Sequence, residues 1–130
     1  MAEISIRSDR DSDLTTITIK GDLREDDFHN SLSEYFRGES TLNTLYDLTE
    51  GDCSNIPSKY YIGLIRVGRA YAQEGARSAM VFSNPVDFGI GRMIESHCES
   101  IGYKSELACF HSVSEARDWL SLPRRTGNLG

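Results

Sequence analysis

The chain has 130 residues and a formal net charge of −6, with 38% hydrophobic and 26% charged residues. This length favours one domain with a single core, and the composition is that of an ordinary soluble globular protein. The first 52 residues contain 13 acidic and 5 basic side chains, which argues against nucleic acid or an anionic membrane as a partner there. No apolar run approaches the roughly 20 residues of a transmembrane helix, and the first residues lack the apolar segment of a signal peptide.

The cysteines and histidines point to no metal chemistry. Cys53, Cys98 and Cys109 are odd in number and form no C-x-x-C pair. Free thiols in a reducing cytoplasm explain this pattern best, so we expect a cytoplasmic protein. The three histidines lie in separate segments without zinc-binding spacing, and the sequence therefore predicts neither a metal site nor a cofactor.

The predicted elements begin with a pair of strands. Residues 3–8 and 14–20 both alternate apolar and polar side chains, which predicts an antiparallel hairpin. Residues 24–37 repeat apolar side chains at helical spacing, which predicts a helix. Residues 43–48 include the short apolar run Leu45-Tyr46-Asp47-Leu48, typical of a strand buried in the middle of a sheet.

The second half of the chain alternates helices and strands. Helices are predicted over 58–74, 86–101 and 114–120, and strands over 77–82 and 105–110. The order β-β-α-β-α-β-α-β-α predicts a single α/β domain over residues 1–122, with a mixed, mostly parallel sheet and helices on both faces. Residues 123–130 contain turn formers and few apolar side chains, so we expect a disordered tail.

Helical spacing also predicts which faces of two helices are buried. In the helix over 86–101, one face contains Val86, Ile90, Met93, Ile94, Cys98 and Ile101. The short last helix has Ala116, Trp119 and Leu120, and we expect it to cover an open edge of the sheet with Trp119 as its anchor.

Polar side chains follow the predicted strands 43–48 and 77–82. Because the C-terminal ends of parallel strands lie at one edge of a sheet, the loop at 49–58 and the turn at 83–87 should form one rim. The residues that we expect at this binding rim are Thr49, Asp52, Ser54, Ser58, Ser83, Asn84 and Asp87. None of the hydroxyl groups has a sequence neighbour suited to act as a general base, so no catalytic residue is predicted.

The segment DFGIGR at 87–92 brings two glycines near a helix start. It is not the G-x-G-x-x-G fingerprint of dinucleotide-binding proteins, because the position three after Gly91 is Ile94. We interpret it as a helix N-terminus after Pro85, where Asp87 is favourable at the positive end of the helix dipole.

The order of these motifs resembles the SpoIIAA-like family, part of the wider STAS superfamily of anti-sigma-factor antagonists. The resemblance covers about residues 3–120 and includes L-Y-D-L, V-F-S-N-P, G-x-G-R-M and the closing S-E-A-R-D-W-L. In classical antagonists a partner kinase phosphorylates a serine in D-S-S-G at the start of the helix after the central strand. Here the region reads D-C-S-N-I-P-S-K, without that glycine and with a longer loop. The resemblance therefore implies two candidate phosphorylation sites, Ser54 by motif and Ser58 by helix position.

We expect a non-enzymatic binding module that contacts a regulatory protein partner. The first alternative is a protein that binds a small apolar or lipid-type ligand, and the second is a small hydrolase-like enzyme. A buried apolar cavity would favour the ligand carrier, a flat or convex rim the protein partner, and a cleft joining a hydroxyl or Cys to a His the enzyme. A homodimer is left open.

Overall fold

The computed structural model describes residues 2–24, 26–27, 41–57, 59–60 and 74–123. Its strands are β1 (Glu3–Asp9), β2 (Leu14–Asp22), β3 (Asn43–Asp52), β4 (Arg77–Phe82) and β5 (Glu106–Phe110). The helices described from end to end are α1 (Pro85–Ser100) and α2 (Val113–Leu120). The helices predicted over 24–37 and 58–74 lie largely outside the described residues, as does most of the predicted tail. Among the described helices, none has the length and apolar content that crossing a membrane requires.

The five strands form one mixed sheet in the order β1-β2-β3-β4-β5. β1 and β2 pair antiparallel, as the alternating hairpin pattern predicts. The three remaining pairs, β2 with β3, β3 with β4 and β4 with β5, are parallel. The α/β class with a mixed, mostly parallel sheet and β3 at its centre is therefore confirmed.

Apolar clusters lie on both faces of this sheet. Because successive side chains of a strand point to opposite faces, β4 directs Met80 and Phe82 to one cluster and Ala79 and Val81 to the other. Side chains of α1 pack against the first cluster, and Ala116 and Leu120 of α2 belong to the second. Helices on both faces of the sheet are thus confirmed. The central strands have continuous apolar runs because a helix covers each of their two faces.

β3 extends four residues beyond its predicted end at Leu48. Beyond the end of β4 it continues to pair with β2, with Gly51 opposite Gly21 and Asp52 opposite Asp22. Gly51 permits this approach, since a Cβ built on it would lie 2.9 Å from the carbonyl oxygen of Ile19. The predicted start of the loop at Thr49 was therefore wrong, and the loop begins after Asp52.

The buried face of α1 differs from the prediction. Asp87, Gly91 and Cys98 are its buried residues, whereas Val86 is 62% exposed and Met93 is also exposed. The reason lies at Gly91, where a Cβ would meet the Phe82 ring at 2.5 Å. The helix turns this glycine toward the sheet and approaches closely there, which rotates Val86 and Met93 outward.

α2 covers a face of the sheet and not an edge, so that prediction was wrong. Its buried residues Ala116 and Leu120 pack with Leu45 of β3 and with Val81 of β4. Trp119 is only half-buried and lies beside Phe110, with a ring-centroid distance of 5.5 Å. After β5 the chain turns back, so that α2 lies across the central parallel strands β3 and β4.

Candidate functional site

The C-terminal end of β3 and the loop after it meet the turn after β4 at one edge of the sheet. The Ser83 hydroxyl donates a hydrogen bond to the Thr49 carbonyl oxygen at 2.8 Å. The backbone N–H of Cys53 donates to the Asp87 carboxylate at 3.2 Å. These two bonds join residues 49–57 to residues 83–87, and we call the two segments together the rim.

The loop after β3 is held by its own side chains. The backbone N–H and the hydroxyl of Ser54 donate to Asp52 Oδ1 at 2.9 and 2.6 Å, and these bonds lower the pKa of the Asp52 carboxyl. The Asn55 amide donates to Asp22 Oδ1 at 2.8 Å, which ties the loop to the end of β2. Ser54 and Asn55 remain exposed. The loop therefore presents polar side chains from a hydrogen-bonded frame.

Thr49 has a local structural role within this frame. Its hydroxyl donates to Asp47 Oδ1 at 2.7 Å, and its backbone N–H donates to the same oxygen at 3.0 Å. Its carbonyl oxygen is the acceptor for Ser83. Thr49 thus connects the two rim segments through its backbone, while its hydroxyl is engaged within β3.

The turn after β4 caps α1. Asn84 has extended backbone geometry, and its side-chain oxygen accepts from the N–H groups of Val86 and Asp87 at 2.8 and 3.2 Å. This is the hydrogen-bond pattern of a helix N-cap, and Pro85 follows at the position where its missing N–H costs nothing. Ser83 is exposed beside the cap, and Val86 projects an apolar side chain from the first turn of the helix.

Asp87 is a buried residue of the rim and does not reach its surface. Only 1% of the residue is exposed. Burial raises the pKa of its carboxyl, the hydrogen bond from the Cys53 backbone acts in the opposite direction, and the nearby Asp52 charge raises the pKa further. The carboxylate therefore holds the loop against the helix start from below.

Ser58, the second serine considered for phosphorylation, lies outside the described residues. The predicted rim residues that the structure does describe fall into two groups. Ser54 and Ser83 are exposed, and their hydroxyl groups also donate hydrogen bonds within the rim. The side chains of Thr49, Asp52, Asn84 and Asp87 are less exposed and make hydrogen bonds that shape the two segments.

One feature of this edge was not predicted from the sequence. His111 follows the last residue of β5 and stacks on Phe88 of α1, with ring centroids 4.0 Å apart and planes inclined by 17°. A signal for it existed, because β5 is a third parallel strand whose C-terminal end lies at the same edge. Within the described part of the chain, no three His, Cys, Asp or Glu side chains come together as a metal site.

Comparison with known proteins supports the fold alone. No protein-family model matches this chain, and no curated protein matches it. A similar solved structure is an uncharacterized protein of the DUF3478 family from Shewanella loihica PV-4, described as having a SpoIIAA-like fold. The TM-score is 0.56 at 19% sequence identity, and the match covers 92% of this chain and 93% of that one. The chain therefore has a SpoIIAA-like α/β fold, as its motifs predict. Such a fold does not by itself specify a function.

Proposed function

We propose that the protein is a non-enzymatic binding module that recognises a protein partner through the rim. The observation that supports this proposal is the pair of hydrogen bonds, Ser83 to Thr49 and Cys53 to Asp87, that joins two exposed segments into one surface. A surface ordered before binding loses less conformational entropy when a partner docks. Rim residues at the C-terminal ends of parallel strands also lie where open α/β sheets commonly bind their ligands.

The side chains of the rim suit a protein surface. Ser54, Asn55 and Ser83 are exposed polar groups, and Val86 adds one exposed apolar side chain beside them. Apolar contacts surrounded by polar groups are the usual anatomy of protein interfaces. Asp52 contributes a carboxylate to this surface, and Ser54 holds it in place through two hydrogen bonds.

Modification of Ser54 would change this surface. Its hydroxyl donates to Asp52 at 2.6 Å, so a phosphate on that oxygen removes the hydrogen bond and places about −1.5 to −2 charges beside a carboxylate. The expected result is repulsion within the loop and release of a partner that depends on its shape. Ser54→Asp imitates part of this charge.

The test compares two exposed apolar residues that lie at opposite ends of the parallel strands. Val86 follows the C-terminal end of β4, while Leu122, which is 53% exposed, accepts a hydrogen bond through its carbonyl from Arg77 at the N-terminal end of β4. Val86→Glu and Leu122→Glu are used with the unchanged protein to capture partners from the native host, and affinity for the captured protein is then measured by calorimetry.

We expect Val86→Glu to reduce binding at least about tenfold, as disruption of an interface centre does, while Leu122→Glu binds normally. Ser54→Asp should weaken binding of the same protein without lowering the melting temperature substantially. Equal binding by Val86→Glu and Leu122→Glu would place the partner surface elsewhere and overturn the proposal.

A further inference from the structure

In the described part of the chain, β1 is an edge strand of the sheet with a neighbour on one side only. It pairs with β2 through seven consecutive residues without a register shift, and its sequence contains no proline or glycine. Every β1 residue except Ile4 is exposed, whereas four of the five β5 residues at the other edge are half-buried. A long, regular and open edge has backbone N–H and C=O groups that can pair with another strand.

We propose that β1 pairs antiparallel with β1 of a second copy of the chain, so that two five-stranded sheets join across a two-fold axis. A symmetric contact of this kind uses the same strand on both copies and closes after two subunits. This dimer is independent of the rim, which lies at the C-terminal ends of β3 and β4.

The charges on β1 select the register of this pairing. With the two-fold axis at Ser5, Glu3 lies opposite Arg7 of the partner subunit, and the same pair recurs on the other side of the axis. Directly opposite residues in an antiparallel pair share a face of the sheet, and opposite charges there are favourable. Both side chains are exposed, and neither Glu3 nor Arg7 forms an ion pair with another described residue.

The apolar face of β1 fits the same register. Ile4 and Ile6 lie beside Ile19 and Ile17 of β2, and both β2 residues belong to the apolar core. The axis at Ser5 places Ile4 against Ile6 of the partner subunit, twice. Ile6 is 40% exposed in the single chain, and this pairing extends the apolar face of the sheet across the dimer.

Neighbouring registers lack this complementarity. With the axis at Ile6, Glu3 would face Asp9 of the partner subunit, and with the axis at Arg7 the two arginines would face each other. With the axis at Ile4, Glu3 would face Ser5 of the partner subunit and no opposite charges would meet. A register shift by an odd number of residues would place the apolar side chains of one copy beside the polar side chains of the other. The competing registers are therefore those shifted by an even number of residues, such as the three described above.

The first test measures dimerisation of the full chain by sedimentation equilibrium up to millimolar concentration. We expect a dimer, and we expect Glu3→Arg and Arg7→Glu each to weaken it about tenfold, since each reverses two cross-strand pairs. An equimolar mixture of the two variants should regain the original affinity, because both cross-strand pairs between unlike copies then join an arginine to a glutamate. The double variant E3R/R7E should also regain it.

A second test probes the register directly. Two Ser5 residues at the axis have Cα atoms about 4.5–5.5 Å apart, within the range that a disulfide spans. Ser5→Cys should therefore cross-link under mild oxidation, and Ser8→Cys should not, because its copies are about 20 Å apart along the strands. A chain that is monomeric at every concentration would overturn the proposal. So would a dimer that ignores both charge reversals and cross-links equally through either cysteine.

Discussion

Arg77, the first residue of β4, donates a hydrogen bond from Nη1 to the carbonyl oxygen of Trp119 at 3.0 Å. The same guanidinium donates to the carbonyls of Leu122 at 2.7 Å and Pro123 at 3.2 Å, and its central carbon lies 5.4 Å from the centre of the Trp119 ring. Arg77 thus donates to one carbonyl in the last turn of α2 and to two in the segment after it, where a positive charge also complements the helix dipole.

Replacing Arg77 should destabilise the protein strongly. Arg77→Met removes the buried, charge-assisted hydrogen bonds to the carbonyls of Trp119, Leu122 and Pro123, and we expect a loss of about 2–4 kcal/mol in the free energy of unfolding. Urea denaturation measures this loss. Arg117→Met, at an exposed position of α2, is the matched control and should have little effect. A loss below about 1 kcal/mol for Arg77→Met would show that water replaces the arginine without penalty.

The two glycines of the DFGIGR segment should respond oppositely to alanine. At Gly91 the new Cβ would lie 2.5 Å from the Phe82 ring and 2.8 Å from Cys109 Sγ, so overpacking should cost about 1–3 kcal/mol. At Gly89 no atom beyond the adjoining residues and the helix's own backbone lies within 4 Å of the new Cβ, and the better helix propensity of alanine should stabilise by up to about 1 kcal/mol. Thermal and urea unfolding of both variants test this. Equal effects at the two positions would contradict close packing at Gly91.

Asp87 should make stability depend on pH. Its pKa is raised by burial, so keeping the carboxyl ionised in the folded protein costs free energy at neutral pH. Asp87→Asn removes that cost and retains an oxygen for the Cys53 N–H, and we expect the variant to be more stable than wild type at neutral pH.

The sign of this effect follows from the two pKa values. As the pH falls through the raised pKa toward 3.8, wild-type Asp87 becomes protonated in the folded state, and the wild type loses its disadvantage. The difference in unfolding free energy between Asp87→Asn and wild type should therefore shrink across this range. Asp118→Asn, at an exposed position of α2, is the control. A difference that is constant with pH would contradict the assignment.

Two thiols should be unreactive in the folded protein. Burial raises the pKa of Cys98 to about 11 and that of Cys109 to about 12, with the Glu95 charge adding to the effect at Cys109. Because the thiolate is the reactive form, labelling by a disulfide reagent near neutral pH should be slow in the native state and complete in urea. Mass spectrometry of labelled peptides identifies each site. Rapid native labelling of either cysteine would show that its surroundings open readily.

Local patterns in the sequence predict several features of this protein correctly. The alternation of Ile4 and Ile6 with polar neighbours predicts the first strand, because the two-residue period of a strand is a property of the backbone alone. The rule that parallel strands end at a common edge places Thr49 near Ser83, and a hydrogen bond joins them. That the rim residues bind a partner stays a prediction, since their side-chain chemistry does not identify which protein would bind.

Other features depend on contacts between residues that are distant in the chain. β3 continues to Asp52 because β2 supplies backbone hydrogen-bond partners there. The turn-forming residues at 49–52 do not by themselves predict this pairing. α1 presents Gly91 to the sheet because the Phe82 ring occupies the space that a side chain would need. Arg77 is buried because the carbonyl of Trp119, 42 residues later, becomes its acceptor. Periodicity and turn chemistry are local and can be read from the sequence, but close packing and the pairing of buried polar groups arise only when distant segments meet.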